Sequence, residues 1–104
     1  MITKENIVQT LKLLNKKYQN LGFKVNSLFG SYARGTNDSF SDIDLTYTIN
    51  HNKFYKDDAF GKLAKIEDIK IELQNQFHTK VDLIPANTKN KYIQNSLQQE
   101  QVLI

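Results

Sequence analysis

The 104-residue chain contains no cysteine, which excludes disulfides, thiolate metal sites and cysteine nucleophiles. It has a single proline, Pro85, and no Pro-rich linker, internal repeat or low-complexity block to divide it. No apolar run approaches the roughly 18 residues needed to cross a bilayer. Its first residues, Met1-Ile2-Thr3-Lys4-Glu5, lack the basic-then-apolar layout of a secretory leader. These absences predict a cytoplasmic chain folded as one domain over residues 1–104, with no membrane contact. The apolar fraction of 39% with 6 Phe and 5 Tyr suffices for a modest core but leaves little for a separate substrate domain.

Charge is present in mild excess. The formal net charge is +3, and setting aside the three acids singled out below leaves about +6, a balance that favours a polyanion such as an NTP, or an acidic partner. A lysine-rich solvated surface explains the same numbers. The lysines are scattered, and no direct nucleic-acid binding is expected.

Thr3 is placed to cap a first helix whose apolar residues Ile7, Leu11, Leu14, Tyr18 and Leu21 recur at steps of four and three, up to Gly22. Phe23 to Phe29 alternates in part and predicts a strand ending at Gly30. Ser31 is positioned to cap a brief helix, and Thr36-Asn37-Asp38-Ser39 has turn chemistry. Asp42 to Ile49 carries the clearest strand signal: Asp42, Asp44, Thr46 and Thr48 fall on one face, Ile43, Leu45, Tyr47 and Ile49 on the other. A polar connection, His51 to Asp58, precedes a long helix to Phe77, with Phe60, Leu63, Ile66, Ile69, Leu73 and Phe77 inward. Lys80 to Ile84 reads as a short strand stopped by Pro85. A last helix, capped near Asn87 or Thr88, carries Tyr92, Ile93 and Leu97. The apolar end Val102-Leu103-Ile104 is expected to dock on the core or on a partner, unless the chain is cut there. The order of elements predicts a three-layer-like α/β domain, a small central sheet flanked by helices.

Asp42 and Asp44 sit at i and i+2 of a strand, about 6–7 Å apart at Cα on one face. Such carboxylates repel unless they face solvent or hold a cation. Oxygen-only donors, with no His or Cys nearby, favour Mg²⁺ over a transition metal. Asp82 lies in Lys80-Val81-Asp82-Leu83-Ile84, where an acid is costly to bury without a partner. A strand next to Asp42 and Asp44 would make it the third carboxylate of a two-metal phosphoryl-transfer site. Gly30-Ser31 stands at a strand-to-helix junction: glycine lets backbone approach a phosphate, and a serine hydroxyl adds a donor.

Gly30-Ser31, ten intervening residues, then Asp42-Ile43-Asp44 resembles the signature of the DNA polymerase β-type nucleotidyltransferase superfamily. The fuller run, Gly30-Ser31-Tyr32-Ala33-Arg34-Gly35 to Ser41-Asp42-Ile43-Asp44-Leu45, resembles its minimal nucleotidyltransferase branch, and Val81-Asp82-Leu83 matches the third acid. The resemblance implies a small mixed central sheet flanked by helices, the polymerase β-like nucleotidyltransferase fold. It implies that Asp42 and Asp44 hold two Mg²⁺ ions, with Asp82 ligating the catalytic one and helping deprotonate the acceptor. Gly30, Ser31 and Arg34 would bind the nucleotide, ATP. Members of this branch are similar to antitoxin partners of helical HEPN-type ribonuclease toxins, which implies a hetero-oligomer and transfer of AMP to a toxin tyrosine. The sequence departs from that pattern at Tyr32, where many relatives carry arginine, and at Gln101, where the ending often reads Glu-Gly; Glu100 keeps the acid.

Two rival functions share these residues. One is a small-molecule nucleotidyltransferase of the aminoglycoside or lincosamide type, which normally needs an extra helical domain or a homodimer. The other is a module that caps a toxin without turnover, although a pure binder gains nothing from three clustered acids. Acceptor, base preference and stoichiometry stay open. Other motifs fail on a single residue. Gly30 to Gly35 fits the start of a P-loop, but Thr36 replaces its lysine. Asp38, Asp42 and Asp44 hint at a calcium loop that lacks its glycine and ends on Ile49 instead of glutamate. Arg34 suits either a phosphate or a surface acid. His51 and His78 suit the surface, and Tyr18, Phe60, Phe77 and Tyr92 suit the core.

Overall fold

The computed structural model describes residues 2–50, 54 and 59–104. The elements run α1 (Lys4–Asn20), β1 (Phe23–Phe29), α2 (Ser31–Arg34), β2 (Ile43–Ile49), α3 (Ala59–Phe77), β3 (Val81–Pro85), α4 (Lys91–Glu100) and β4 (Val102–Leu103). The sheet has the order β3-β2-β1-β4; β1 is antiparallel to β2 and β4, and β2 is parallel to β3. It is therefore the small mixed sheet flanked by helices that the sequence predicts.

Thr3 caps α1 as expected, its Oγ1 accepting from the Asn6 N–H at 3.1 Å, with Glu5 in the first turn and Lys17 in the last, each complementing the helix dipole. Ile7, Leu11 and Tyr18 are buried, whereas Leu21, the C-cap residue just before left-handed Gly22, is exposed. From α3 the core receives Ile69, Leu73 and Phe77. Tyr18 Oη donates to Glu72 at 2.6 Å and ties α1 to α3, with Lys17 bonded to the same carboxylate. Both helices thus cover one face of the sheet, over Val25, Leu28, Ile43, Leu45 and Val81. Phe23 stacks on Tyr47 at 5.1 Å and meets Tyr18 edge-on at 5.8 Å.

β1 carries a bulge at Asn26: Val25 pairs with Tyr47, but Ser27 pairs with Thr46. One extra residue inverts the alternation. Phe23, Val25 and Leu28 consequently share the core face, while Ser27 and Phe29 turn to the other face, opposite Thr46 and Asp44. Asn15 braces the bulge: its Oδ1 accepts from the Val25 N–H and its Nδ2 donates to the Val25 carbonyl, each at 2.9 Å.

Several expectations are corrected. Gly30, not Ser31, is the N-cap of α2, and no side chain caps that helix. Pro85 is the last paired residue of β3 instead of lying beyond it, opposite Tyr47, a place open to proline because β3 is an edge strand. Asn90, not Asn87 or Thr88, caps α4, accepting from the Tyr92 and Ile93 N–H groups. Leu63 is 65% exposed and Tyr92 86% exposed, so neither joins the core. Residues 51–53 and 55–58, His51 among them, and the Phe60 side chain lie outside the described residues; Phe54 is fully buried. Val102-Leu103 docks as β4 against Ser27 and Leu28. Among the described residues no helix is long and apolar enough to cross a membrane.

Candidate active site

Strand register brings the acids together. Asp44 on β2 is the direct partner of Asp82 on β3, and side chains at one level of neighbouring strands point to the same side of a sheet. That side is the face opposite the shared core. Asp42 stands two residues before Asp44, immediately ahead of β2, and shares that side by alternation. The loop delivering it is tightly ordered around Asp38, whose Oδ1 accepts from the Phe40 N–H at 2.9 Å and the Ser41 hydroxyl at 3.2 Å. The Asp38 N–H donates in turn to Ser41 Oγ. Asp38 is therefore a turn residue, and the exposed Phe40 is carried outward beside it.

The acids act on one another. Burial pushes the Asp44 carboxyl up to about 6, assisted by the charges of Asp82 and Asp42 and by a hydrogen bond with Asp82; Arg34 pulls the other way. Lys80 Nζ lies 3.7 Å from Asp42 Oδ2, and the Lys80 carbonyl accepts from the Ile43 N–H at 2.9 Å, which registers the start of β3 against β2. Among the described residues no three acidic or histidine side chains close on one point as a metal-binding group. Asp44 and Asp82 stand abreast while Asp42 is engaged by Lys80. The donor set still fits a hard divalent cation in kind, being all carboxylate oxygen, and in charge, since the Asp82 and Asp42 charges that add to the effect of burial on Asp44 are what such a cation would offset.

Gly30 closes the site from the β1 side. Its φ of 76° with ψ of −154° is a conformation open essentially to glycine alone. A Cβ there would collide with Asp44 Oδ2 and come within 3.3 Å of its Cγ. The backbone conformation requires glycine, and any larger residue would also have to push the Asp44 carboxylate aside, because backbone is laid directly on it. Ser31 follows as the first residue of α2, half-buried. Left-handed Gly35 ends that helix, with the Gly35 and Thr36 N–H groups both turned back to the Ser31 carbonyl. Tyr32 and Ala33 anchor α2 in the core; Tyr32, only 4% exposed, is a packing residue.

Arg34 ends α2. Its Nη1 donates to Glu100 Oε1 at 2.5 Å, so the structure gives it the surface-acid partner, within electrostatic range of Asp44. The structure thus gathers Gly30, Ser31, Asp42, Asp44 and Asp82, and sets Arg34 beside them. Sequence reasoning gave Lys80 and Glu100 no place at the site. Lys80 was within reach, because it alternates in phase with Asp82. His78 is exposed at the end of α3 and belongs to no site.

Residues 5–104 match the family described as Polymerase beta, Nucleotidyltransferase. A Methanocaldococcus jannaschii protein named "Putative protein adenylyltransferase MJ1215" is 38% identical over 76 residues, covering 71% of this chain and 79% of its own. A solved structure described as a minimal nucleotidyltransferase superposes with a TM-score of 0.72 at 18% identity, covering 99% of this chain and 97% of its own. Another, a toxin-antitoxin with AMP-PNP, gives a TM-score of 0.61 at 22% identity over 94% of this chain and 71% of that one.

Proposed function

This chain belongs to the polymerase β nucleotidyltransferase family, and on that premise we propose that it is a Mg²⁺-dependent protein adenylyltransferase that moves AMP from ATP to a hydroxyl of a partner toxin. The observation that carries the reading is Asp44 paired in register with Asp82 beneath Gly30, with Asp42 two residues away. The adenylyl group and the toxin partner draw support from the similar adenylyltransferase and from the fold shared with a toxin-antitoxin. That the toxin is a helical HEPN-type ribonuclease modified on a tyrosine, in a cytoplasmic hetero-oligomer, extends the family resemblance.

In this reading Asp42, Asp44 and Asp82 would hold two Mg²⁺ ions, for which Asp42 would have to leave Lys80. When bound, Mg²⁺ supplies charge neutralisation on the triphosphate and fixes its geometry. The Gly30 backbone and the Ser31 hydroxyl bind the triphosphate, and Gly30, having no side chain, lets phosphate lie close to Asp44. Arg34 offers its free guanidinium donors to phosphate oxygens. The acceptor oxygen attacks the α-phosphorus in line, the bond to the β-phosphate oxygen breaks, and pyrophosphate leaves. Asp82 orients the acceptor hydroxyl and accepts its proton. Alignment and charge placement supply most of the rate gain.

The test is transfer of label from [α-³²P]ATP, with Mg²⁺, to the product of the adjacent reading frame. We expect labelling by the wild type and a drop of at least a thousandfold in Asp42→Asn and Asp44→Asn. Toxin silencing that persists undiminished in the double variant, without labelling, would replace the enzyme with a capping module. Labelling of an aminoglycoside instead of the protein would redirect the assignment to small molecules.

A further inference from the structure

α4 contributes no fully buried residue, yet its last residue is among its better-covered ones. The Glu100 side chain is 18% exposed and bonds Arg34, 66 residues earlier in sequence, whose own side chain is 45% exposed. With its Arg34 side half exposed, the pair adds little to stability. Its placement matters more. Arg34 ends α2, the short helix that begins at Gly30, and Gly35 fixes its backbone by ending that helix. The Arg34 N–H donates to the Gly30 carbonyl at 3.1 Å, and Gly30 itself lies against the Asp44 carboxylate, so Arg34 stands one helical turn from that acid. A cation on a flexible stem beside three carboxylates is drawn onto them. There it would neutralise Mg²⁺ ligands and spend its donors on the wrong anion.

We propose that Glu100 is a positioning residue for nucleotide binding: it holds the Arg34 guanidinium at the rim of the carboxylate cluster, aimed at incoming phosphate and restrained from folding onto Asp44. Among the described residues Arg34 meets Glu100 through Nη1 alone, so the other donors of the five-donor fork can turn to phosphate oxygens. The inference rests on the nucleotidyltransferase reading and adds to it a residue from the opposite end of the chain.

Calorimetric titration of the full chain with Mg²⁺ and AMP-PNP tests it without knowledge of the acceptor. Glu100→Gln is expected to weaken binding about tenfold, with Glu100→Asp recovering part of the loss. Arg34→Ala should weaken binding at least as much, and adding Glu100→Gln to it should change affinity less than about twofold, because Glu100 acts only through Arg34. Melting temperatures of the Glu100 variants should stay within about 3 °C of wild type. The proposal is overturned if Glu100→Gln binds as wild type does. It is equally overturned if the loss persists at full size in the Arg34→Ala background, which would make Glu100 a mere anchor for α4. A wild-type chain that binds no Mg²⁺–AMP-PNP would instead remove the nucleotidyltransferase reading beneath it.

Discussion

A methyl group added at position 30 and one added at position 35 meet different surroundings. Both glycines have positive φ, but a Cβ at Gly35 reaches open space, whereas one at Gly30 strikes the Asp44 carboxylate. Gly35→Ala should therefore cost only the left-handed backbone penalty, about 1 kcal/mol, and leave Mg²⁺–AMP-PNP affinity within about threefold. Gly30→Ala combines a forbidden backbone region with a steric clash. We expect it to cost about 2–4 kcal/mol in urea unfolding and to abolish nucleotide binding. Nucleotide binding by Gly30→Ala as tight as that of Gly35→Ala would mean that the close approach of Gly30 to Asp44 has no part in holding the nucleotide. At this scale the sequence indicates which acids share a face. Alternation in Asp42-Ile43-Asp44 fixes which side chains share a face, and an acid within an apolar strand, Asp82, has few other places to go. Glu100 has no role that the sequence reveals, because its place beside Arg34 depends on how α4 docks, which no local pattern encodes.

Elements fail to follow their patterns where neighbours run out. α3 has 19 residues, about 28 Å of helix, while the strand it packs on, β3, has five residues and about 17 Å. Ile69, Leu73 and Phe77 near its C-terminus find the core, whereas Leu63, nearer its N-terminus, is exposed among the described residues. Tyr92, in the first turn of α4, is exposed because the half-buried residues of that helix are Ile93, Ser96, Leu97 and Glu100. The bulge at Asn26 is hidden in the sequence for a different reason: it appears there only as imperfect alternation, and what braces it is Asn15 on α1, bonded to Val25 ten residues later. That brace can be removed. Asn15→Ala leaves the buried Val25 N–H and carbonyl without those partners, and should destabilise the fold by about 2–4 kcal/mol. Amide exchange at Val25 should rise ahead of exchange in the rest of β1. Wild-type protection at Val25 in that variant would show that the bulge holds itself.

Across the whole molecule, stability and chemistry are separated by the sheet and then set against each other at Asp44. The shared core of α1 and α3 lies on one face; the carboxylates lie on the other, in a chain whose formal charge is otherwise positive. Asp44 titrates near 6 in the fold against an ordinary value of 3.8. A folded-state value above the unfolded one means that folding favours the protonated form. Its stabilising contribution is complete below about pH 4 and is lost as pH rises through 6. In metal-free buffer the wild type should therefore lose stability between pH 5 and pH 7.5, by roughly 1 kcal/mol once solvent screening of a half-exposed carboxyl is counted, or about 5 °C in melting temperature. Asp44→Asn should remove that part of the slope and melt above wild type at pH 7.5. Mg²⁺ reverses the ordering, because a cation bound only by the folded chain stabilises it and favours the ionised carboxylate. Millimolar Mg²⁺ at pH 7.5 should raise the wild-type melting temperature and leave Asp44→Asn nearly unmoved, with EDTA restoring the original difference. A wild-type chain that melts identically with and without Mg²⁺, at a pH where Asp44 is ionised, would show that these carboxylates crowd together for some purpose other than binding metal.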